Sequence, residues 1–222
     1  MACAVLATGL AQPAAAQAPA APGVYVVTYF DVDPSAVRKA DGLLRQFAAA
    51  TRKEDGYGEL TLLREIGRPG HFAIVEAWRD KAALDAHGAA MKALGDKLQP
   101  MLASPFDARP FLPLAVAAPQ PNADLSGAVW VLTHIDVFPA GKDEVAVMVK
   151  QLVDDSRKDA GVQRFDAIVW DGHANHFHLI EAWSNRATRQ AHALADHTRQ
   201  FRAKLVPFEG GLYDERLYEV VK

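Results

Sequence analysis

The fold of this chain is decided by the stretch HFAIVEAW, residues His71–Trp78, which recurs 105 positions later as HFHLIEAW, residues His176–Trp183. At the same offset, residues 25–87 align with residues 130–192 without a gap, and eighteen of these sixty-three positions are identical. A period of this length is too long for a solenoid repeat and suits a small domain. The chain therefore consists of two tandem copies of one domain.

Both copies show the same order of hydrophobic patterns. Besides the quoted stretch, copy one has three β-rich runs: Val24–Val32, Glu59–Ile66 and Arg109–Val116. Helical spacing of apolar residues separates the first run from the second and the quoted stretch from the last. Copy two repeats this order, and its second helix is predicted from about Asn185 to Leu205. The order β-α-β-β-α-β is that of a ferredoxin-like unit.

The predicted strands are apolar on both faces. In the first strand, Phe30 shares one face with Val26, while Tyr25, Val27 and Tyr29 occupy the other. The helices of a ferredoxin-like unit cover only one face of its sheet, so the second face needs another cover. We therefore predict an α+β protein in which two four-stranded antiparallel sheets pack face to face as an internal pseudo-dimer. The sequence leaves further homo-oligomer formation open.

The composition changes along the chain mark four segments. Residues 1–22 are Ala-rich, apolar and uncharged, and small residues near Ala16 and Ala18 suit signal-peptidase cleavage. Residues 23–117 form the first domain, the polar and Pro-containing residues 118–126 a linker, and residues 127–222 the second domain. The only cysteine, Cys3, falls in the leader, so the domains contain no disulfide. We expect an exported protein, either periplasmic or secreted.

Charge and motifs exclude several classes of function. The net charge is −3 and the Lys and Arg residues are scattered, so the chain lacks the basic patch that nucleic-acid binding needs. No segment after the leader is long and apolar enough to span a membrane. The sequence has no Gly-rich nucleotide loop, no GxSxG elbow and no HExxH motif. His176 and His178 alternate on one strand face, but no acidic cluster or cysteine accompanies them. We therefore predict neither a metal site nor a cofactor.

The strand–turn–helix block Phe72–His87 recurs as Phe177–His192, and each version has Glu-x-Trp at the strand end and Ala-His nine residues after the Trp. In these features both copies resemble the antibiotic biosynthesis monooxygenase (ABM) domain of the dimeric α+β barrel group. The resemblance spans nearly the whole chain after the leader. It implies a barrel built from two ferredoxin-like units, usually from two chains, with a pocket between each sheet and its helices.

The resemblance also implies a range of activities. Members of the family include oxygenases that oxidise quinols or anthrone-like phenols without metal or flavin, a haem-degrading branch, and proteins with no established activity. The haem-degrading branch typically has Asn at the position of Tyr29 and His134 and Trp at that of His87, and neither is present here. The expected function is accordingly a cofactor-independent monooxygenase-like oxidation of a small aromatic or quinol-type substrate with O2. The alternative is a non-catalytic small-molecule-binding or stress-related barrel, and haem binding or degradation is the weaker expectation.

His87 is the clearest candidate from pattern alone, because it interrupts the apolar stripe of its helix. An imidazole on a buried face needs a partner or a cavity. Two residues of copy two are alternatives for the position equivalent to His87. Counting from Trp183 gives His192, whereas counting back from the end of the helix gives Leu194.

We expect copy two to carry the activity, because it holds more titratable groups than copy one. His192 and His134 are the candidate catalytic residues, since an imidazole that titrates near neutrality can accept a proton from a phenol. Glu76 and Glu181 share the face of the tryptophans and could serve as a base if desolvated, but the sequence favours a salt-bridge or capping role for both. Five further side chains are candidates for contact with the substrate: Tyr29, Trp78, His87, Trp183 and His197.

Overall fold

The structure, a computed structural model, describes residues 21–117 and 124–222. Copy one contains, in chain order, β1 (Val24–Asp31), α1 (Val37–Thr51), β2 (Tyr57–Glu65), β3 (His71–Trp78), α2 (Lys81–Leu98) and β4 (Asp107–Ala115). Copy two contains β5 (Val129–Asp136), α3 (Lys142–Ser156), β6 (Val162–Trp170), β7 (His176–Trp183), α4 (Arg186–Ala193), α5 (Asp196–Leu205) and β8 (Asp214–Val220). Of the predicted leader and linker, residues 1–20 and 118–123 lie outside the described residues.

Local sequence explains where the first helix of copy one starts and where the first helix of each copy ends. Asp33 accepts a hydrogen bond from the backbone N–H of Ser35, and Pro34 follows at the first position of the helical turn. After the helices, Gly56 and Gly161 adopt φ values of 76° and 80°, in the left-handed region that favours glycine. The turn into the second strand is therefore built in the same way in both copies.

The eight strands form one closed antiparallel barrel. Within the copies the orders are β4-β1-β3-β2 and β8-β5-β7-β6. At one seam β2 pairs with β8 around Arg64↔Glu219, and at the other β4 pairs with β6 around Leu112↔Val169. Both sheets are thus joined edge to edge, with their helix-free faces inside. The predicted pseudo-dimer of two ferredoxin-like units is confirmed.

The apolar side chains are divided between the inside of the barrel and the helix-covered faces of the sheets. The inner core combines both copies, with Tyr25 and Val27 packed against Trp130 and Tyr218. The alternate residues of the same strands pack under the helices of their own copy. Full burial of one such side chain stabilises the fold by about 1.5–3 kcal/mol, so strands apolar on both faces favour a closed barrel with outer helices.

The second helical segment differs between the copies. In copy one α2 is a single helix of 18 residues, whereas in copy two α4 ends at Ala193 and α5 begins at Asp196. The prediction of one continuous helix from Asn185 to Leu205 was wrong. Copy two has two additional residues, and the extended backbone of Ala195 (φ −64°, ψ 147°) accommodates them as a break. In the described part of the chain, no helix combines the length and apolarity needed to cross a membrane.

Candidate functional site

In each copy a histidine of the second helical segment packs on the tryptophan that ends the third strand. The ring centroids of His87 and Trp78 are 4.5 Å apart, and those of His192 and Trp183 are 4.6 Å apart. Both indoles are fully buried. We call these two arrangements, with the carboxylates that contact them, the helix-side sites, since they lie between each sheet and its helices.

A carboxylate from the loop after the first helix holds each imidazole. Glu54 Oε2 is 2.8 Å from His87 Nδ1, and Asp159 Oδ2 is 2.7 Å from His192 Nδ1. These contacts identify His192 as the structural counterpart of His87. Leu194, the alternative counterpart of His87, is the C-terminal cap of α4 and is 61% exposed.

The two helix-side sites differ in their second carboxylate. In copy one, Glu76 Oε1 lies 3.1 Å from His87 Nε2, without the alignment of a hydrogen bond. In copy two, Glu181 Oε2 instead accepts a hydrogen bond of 2.8 Å from Trp183 Nε1. His87 therefore has a carboxylate at both ring nitrogens. His192 has one at Nδ1, and its Nε2 has no hydrogen-bond partner among the described residues.

This difference shifts the pKa values of the two imidazoles in opposite directions. Burial lowers the pKa of His87, but the contacts with Glu76 and Glu54 outweigh burial and raise this pKa above its usual value. Burial lowers the pKa of His192 below its usual value, and the single carboxylate of Asp159 offsets only part of that effect. His192 is thus neutral at neutral pH, the state in which a ring nitrogen can accept a proton.

Glu181 is itself unusual for a carboxylate. Burial raises its pKa to about 7, although the hydrogen bond from Trp183 and the charge of Arg189 act in the opposite direction. A carboxyl group that titrates near neutrality can serve as an acid or a base. The sequence favoured a salt-bridge or capping role for Glu181 and left a base role only for a desolvated carboxylate; the structure shows that this carboxylate is buried.

The predicted substrate-contacting residue His197 lies beside the helix-side site of copy two. Its Nε2 is 3.2 Å from Asp159 Oδ2, and its ring centroid is 5.5 Å from that of His192. Asp159 therefore faces two imidazoles. The ligand-capable atoms of these three residues lie within 4.8 Å of one another.

Tyr29 and His134 lie in a different compartment from the helix-side sites. Both belong to the strand face that lines the barrel, and both are close to His178, with ring centroids 6.3 and 6.0 Å away. The sheet separates them from His192. The structure thus brings together Trp183, His192 and His197, and separately Tyr29 and His134. The prediction from sequence that grouped His134 with His192 is therefore wrong, because these two residues lie on opposite faces of the sheet.

His178 is a buried polar residue of the barrel interior that the sequence analysis did not select as a candidate. Its Nδ1 donates to the Leu179 carbonyl (3.0 Å), so Nε2 accepts the hydroxyl of Tyr29 (2.6 Å). Burial lowers the pKa of His178 to about 3, and burial likewise raises the pKa of Tyr29. Copy one has Ala73 at the equivalent position, and this contrast between the copies was the available signal.

A cavity of about 920 Å³ opens at the seam between β2 and β8. The described pairing of these strands covers only the end of β2, from Leu63 to Glu65, so the first part of β2 borders the cavity. Tyr25, Tyr57 and Trp130 contribute aromatic walls. None of the described lining residues is a histidine, so the cavity offers no imidazole as an axial ligand for haem. It also contains neither His87 nor His192.

The fold defines the class of protein as an α+β barrel assembled from two ferredoxin-like units, each with a buried histidine–tryptophan–carboxylate site. The family model described as antibiotic biosynthesis monooxygenase (ABM) matches residues 23–92 and 128–204. The chain belongs to this family, and each copy is one ABM domain.

Solved structures are similar to the chain over nearly its whole length. A protein described as "putative monooxygenase" from Fusobacterium nucleatum has 16% identity and a TM-score of 0.81, covering 91% of this chain and 94% of that one. A second protein of the same description, from Lactobacillus acidophilus, has 13% identity and a TM-score of 0.74, with 90% and 95% covered. An anthrone oxidase-like protein has 13% identity and a TM-score of 0.67, with 90% and 92% covered. At these identities the likeness concerns the fold alone. No curated protein matches the chain.

Proposed function

We propose that this protein catalyses a cofactor-independent, monooxygenase-type oxidation of a small aromatic or quinol-type substrate with O2, at the helix-side site of copy two. Membership of the ABM family supports an oxygenase-like function. One of the similar structures is described as an anthrone oxidase-like protein, and this description supports the same class of substrate.

The observation that carries the proposal is that Nε2 of His192 has no hydrogen-bond partner among the described residues. Asp159 holds Nδ1 at 2.7 Å and orients the ring, while Glu181 is engaged by Trp183. A neutral imidazole with a carboxylate on one nitrogen and a free lone pair on the other is the usual arrangement of a general base. In copy one Glu76 stands 3.1 Å from the equivalent nitrogen and occupies that position.

The chemistry follows from this geometry. His192 Nε2 takes the proton of a phenolic or benzylic group, and Asp159 stabilises the imidazolium that forms. The resulting electron-rich anion itself reduces O2. For an anthrone-type methylene, one oxygen atom becomes the new carbonyl and the other leaves as water with the two hydrogens of the carbon. The flanking Trp183 and Phe165 rings provide an apolar environment, in which the substrate anion and O2 react away from bulk water.

Oxygen uptake by the full chain with a panel of quinols and anthrones tests the proposal. His192→Ala should lower the rate by about 100-fold or more, the usual contribution of general-base catalysis. The matched control is His87→Ala, which should retain the rate if the variant is folded, and His134→Phe tests the other candidate separately. Loss confined to His87→Ala would overturn the assignment to copy two, and equal losses would mean two working sites.

The second candidate function is small-molecule binding without catalysis. The cavity favours it, because its aromatic walls Tyr25, Tyr57 and Trp130 lie apart from both helix-side histidines. For a pure binder, the oxygen electrode trace stays flat with every substrate, while an aromatic ligand raises the melting temperature. Trp130→Ala should then weaken ligand binding, and His192→Ala should not.

We also propose that the protein acts after export, on the basis of its Ala-rich leader. Expression of the full chain with its leader in a bacterial host, followed by N-terminal sequencing of the periplasmic and extracellular fractions, tests this. Cleavage after Ala16 or Ala18 is expected. Recovery of only uncleaved protein in the cytoplasm would contradict it.

A further inference from the structure

The end of the barrel near Tyr29 contains a cluster of side chains outside the helix-side sites. Asp136 Oδ1 lies 2.5 Å from His134 Nε2 and 2.5 Å from His176 Nδ1. The ligand-capable atoms of the three residues all lie within 4.8 Å of one another, and each residue is partly buried. We call this set the barrel-end cluster.

The equivalent position in copy one provides an internal reference. There the carboxylate is Asp31, and it forms a salt bridge with Arg68, whose Nη2 lies 2.9 Å from Oδ1. The hydroxyl of Ser104 donates to Oδ2 at 3.1 Å. His71 Nδ1 is 3.1 Å from Oδ1. Copy one thus surrounds this carboxylate with an arginine, a hydroxyl and one imidazole.

Copy two keeps the carboxylate and replaces the groups around it. At the offset of 105, His173 replaces Arg68 and His134 replaces Tyr29. The turn geometry is retained, because the N–H of His176 donates to the His173 carbonyl at 2.9 Å, as His71 does to Arg68.

The hydroxyl is also lost. Gly210 N–H donates to the Asp136 carbonyl (2.9 Å), as Ala103 N–H does to Asp31 (2.8 Å), which places Gly211 where copy one has Ser104. A Cβ at Gly211 would lie 3.1 Å from Asp136 Oδ2. Asp136 has therefore lost its arginine and its hydroxyl donor and gained a second imidazole.

We propose that the barrel-end cluster binds a divalent transition-metal ion through His134 Nε2, Asp136 and His176 Nδ1. Two imidazoles and one carboxylate leave further coordination positions open, and this ligand set suits Zn2+ or Fe2+ better than Mg2+ or Ca2+, which prefer oxygen ligands. The metal ion takes the electrostatic role of Arg68. The sequence contains no metal motif because the three ligands come from two strands whose pairing brings them together.

The surrounding charges permit a bound cation. Arg109 Nη1 is 3.4 Å from His134 Nδ1, but Arg109 is neutralised by hydrogen bonds from Nε to both oxygens of Asp107, at 3.1 and 3.0 Å. The ring of His173 is 5.6 Å from that of His176, between centroids, so His173 lies close enough to become a further ligand after rotation of its side chain.

The test is a titration of the chelator-treated full chain with ZnCl2, followed by calorimetry. Wild-type protein should bind Zn2+ at this site, and His176→Ala and Asp136→Asn should each weaken the affinity by more than about 100-fold, because loss of outer partners alone costs about 10- to 100-fold. The matched control is His71→Ala in copy one, which should bind as wild type does. His197→Ala tests whether Zn2+ binds instead at the cluster around Asp159.

A variant that carries the copy-one side chains in copy two distinguishes loss of Zn2+ binding from loss of folding. The triple variant His134→Tyr, His173→Arg and Gly211→Ser introduces the set of side chains with which copy one already folds, and it should lose Zn2+ binding with an unchanged circular dichroism spectrum. Absence of Zn2+ binding to wild type overturns the proposal. So does wild-type affinity in the Asp136→Asn, His176→Ala and triple variants, since the ion then binds elsewhere.

Discussion

The carboxylate of Asp159 lies 2.7 Å from Nδ1 of His192. The same contact, with Glu54 and His87, occurs in copy one at 2.8 Å. The pair thus persists in both copies, although the acid differs by one methylene. The two copies differ at Nε2 of the ring, where, among the described residues, only copy one has a second carboxylate within reach.

Asp159→Asn should move the acid limb of the pH–rate profile to lower pH. The carboxylate offsets part of the burial effect on the pKa of His192, so its loss lowers that pKa further and weakens the base. We expect the rate at neutral pH to fall about 10- to 100-fold. Oxygen uptake against pH, together with NMR titration of the His192 ring, measures both effects. Glu54→Gln is the control, and an unchanged acid limb in Asp159→Asn would contradict the assignment.

His178 should make the protein sensitive to acid. Its pKa is about 3 in the folded state because burial disfavours the charged ring, compared with its usual value of 6.5. The unfolded chain therefore binds one more proton than the folded chain between these pH values. Stability is lost as the pH falls through this window, by about 1.4 kcal/mol per pH unit.

His178→Ala should consequently flatten the pH dependence of stability, while lowering stability at neutral pH by about 2 kcal/mol through the cavity it creates. Urea unfolding at about pH 7.5 and about pH 4.5 shows the difference, expected to be at least about 2 kcal/mol smaller than in wild type. The exposed His173→Ala is the control. An equal loss of stability in both proteins on acidification would refute the role of His178.

His87 should act in the opposite sense. Its pKa is raised in the folded state, because the Glu76 and Glu54 contacts outweigh burial. The stabilisation is fully present below the unfolded pKa and is lost as the pH rises through the folded pKa. His87→Gln should therefore cost more stability in acid than in base. A deficit that is independent of pH in urea unfolding would show that no carboxylate partner acts on the ring.

Arg164→Glu should strongly destabilise the barrel. Arg164 and Glu59 occupy equivalent positions of the repeat and form a salt bridge with each other across the two copies, while Asp166 pairs with the same guanidinium. In a symmetric homodimer the two positions would carry the same charge, so this contact depends on fusion. Reversal leaves three carboxylates together and should cost about 3–5 kcal/mol.

Glu59→Gln serves as the milder comparison for this salt bridge, because Asp166 still pairs with Arg164 at 2.8 Å. Denaturant midpoints of both variants measure the effect. If Arg164→Glu unfolds at the same urea concentration as wild type, the contact does not contribute to the joining of the copies.

The sequence alone determined the repeat, the order of the strands and the face-to-face packing of two sheets, whereas the edge-to-edge pairing that closes the barrel came from the structure. The reason is that these properties depend on periodicity: a gapless offset between copies, a side-chain period of two in strands and about 3.6 in helices. Strands apolar on both faces, such as β1 with Phe30 opposite Tyr29, also required cover on both sides.

The apolar character of both strand faces also prevented the sequence from showing that the candidate residues lie in two separate compartments. Because both faces of β5 are apolar, alternation could not tell which face meets the helices, so His134 and His192 were grouped although the sheet separates them. Only the tertiary structure decided this, together with the choice of His192 over Leu194, which depends on a break between α4 and α5. The barrel-end cluster likewise exists only through strand pairing, which sets Asp136 directly opposite His176 although forty positions separate them in the chain.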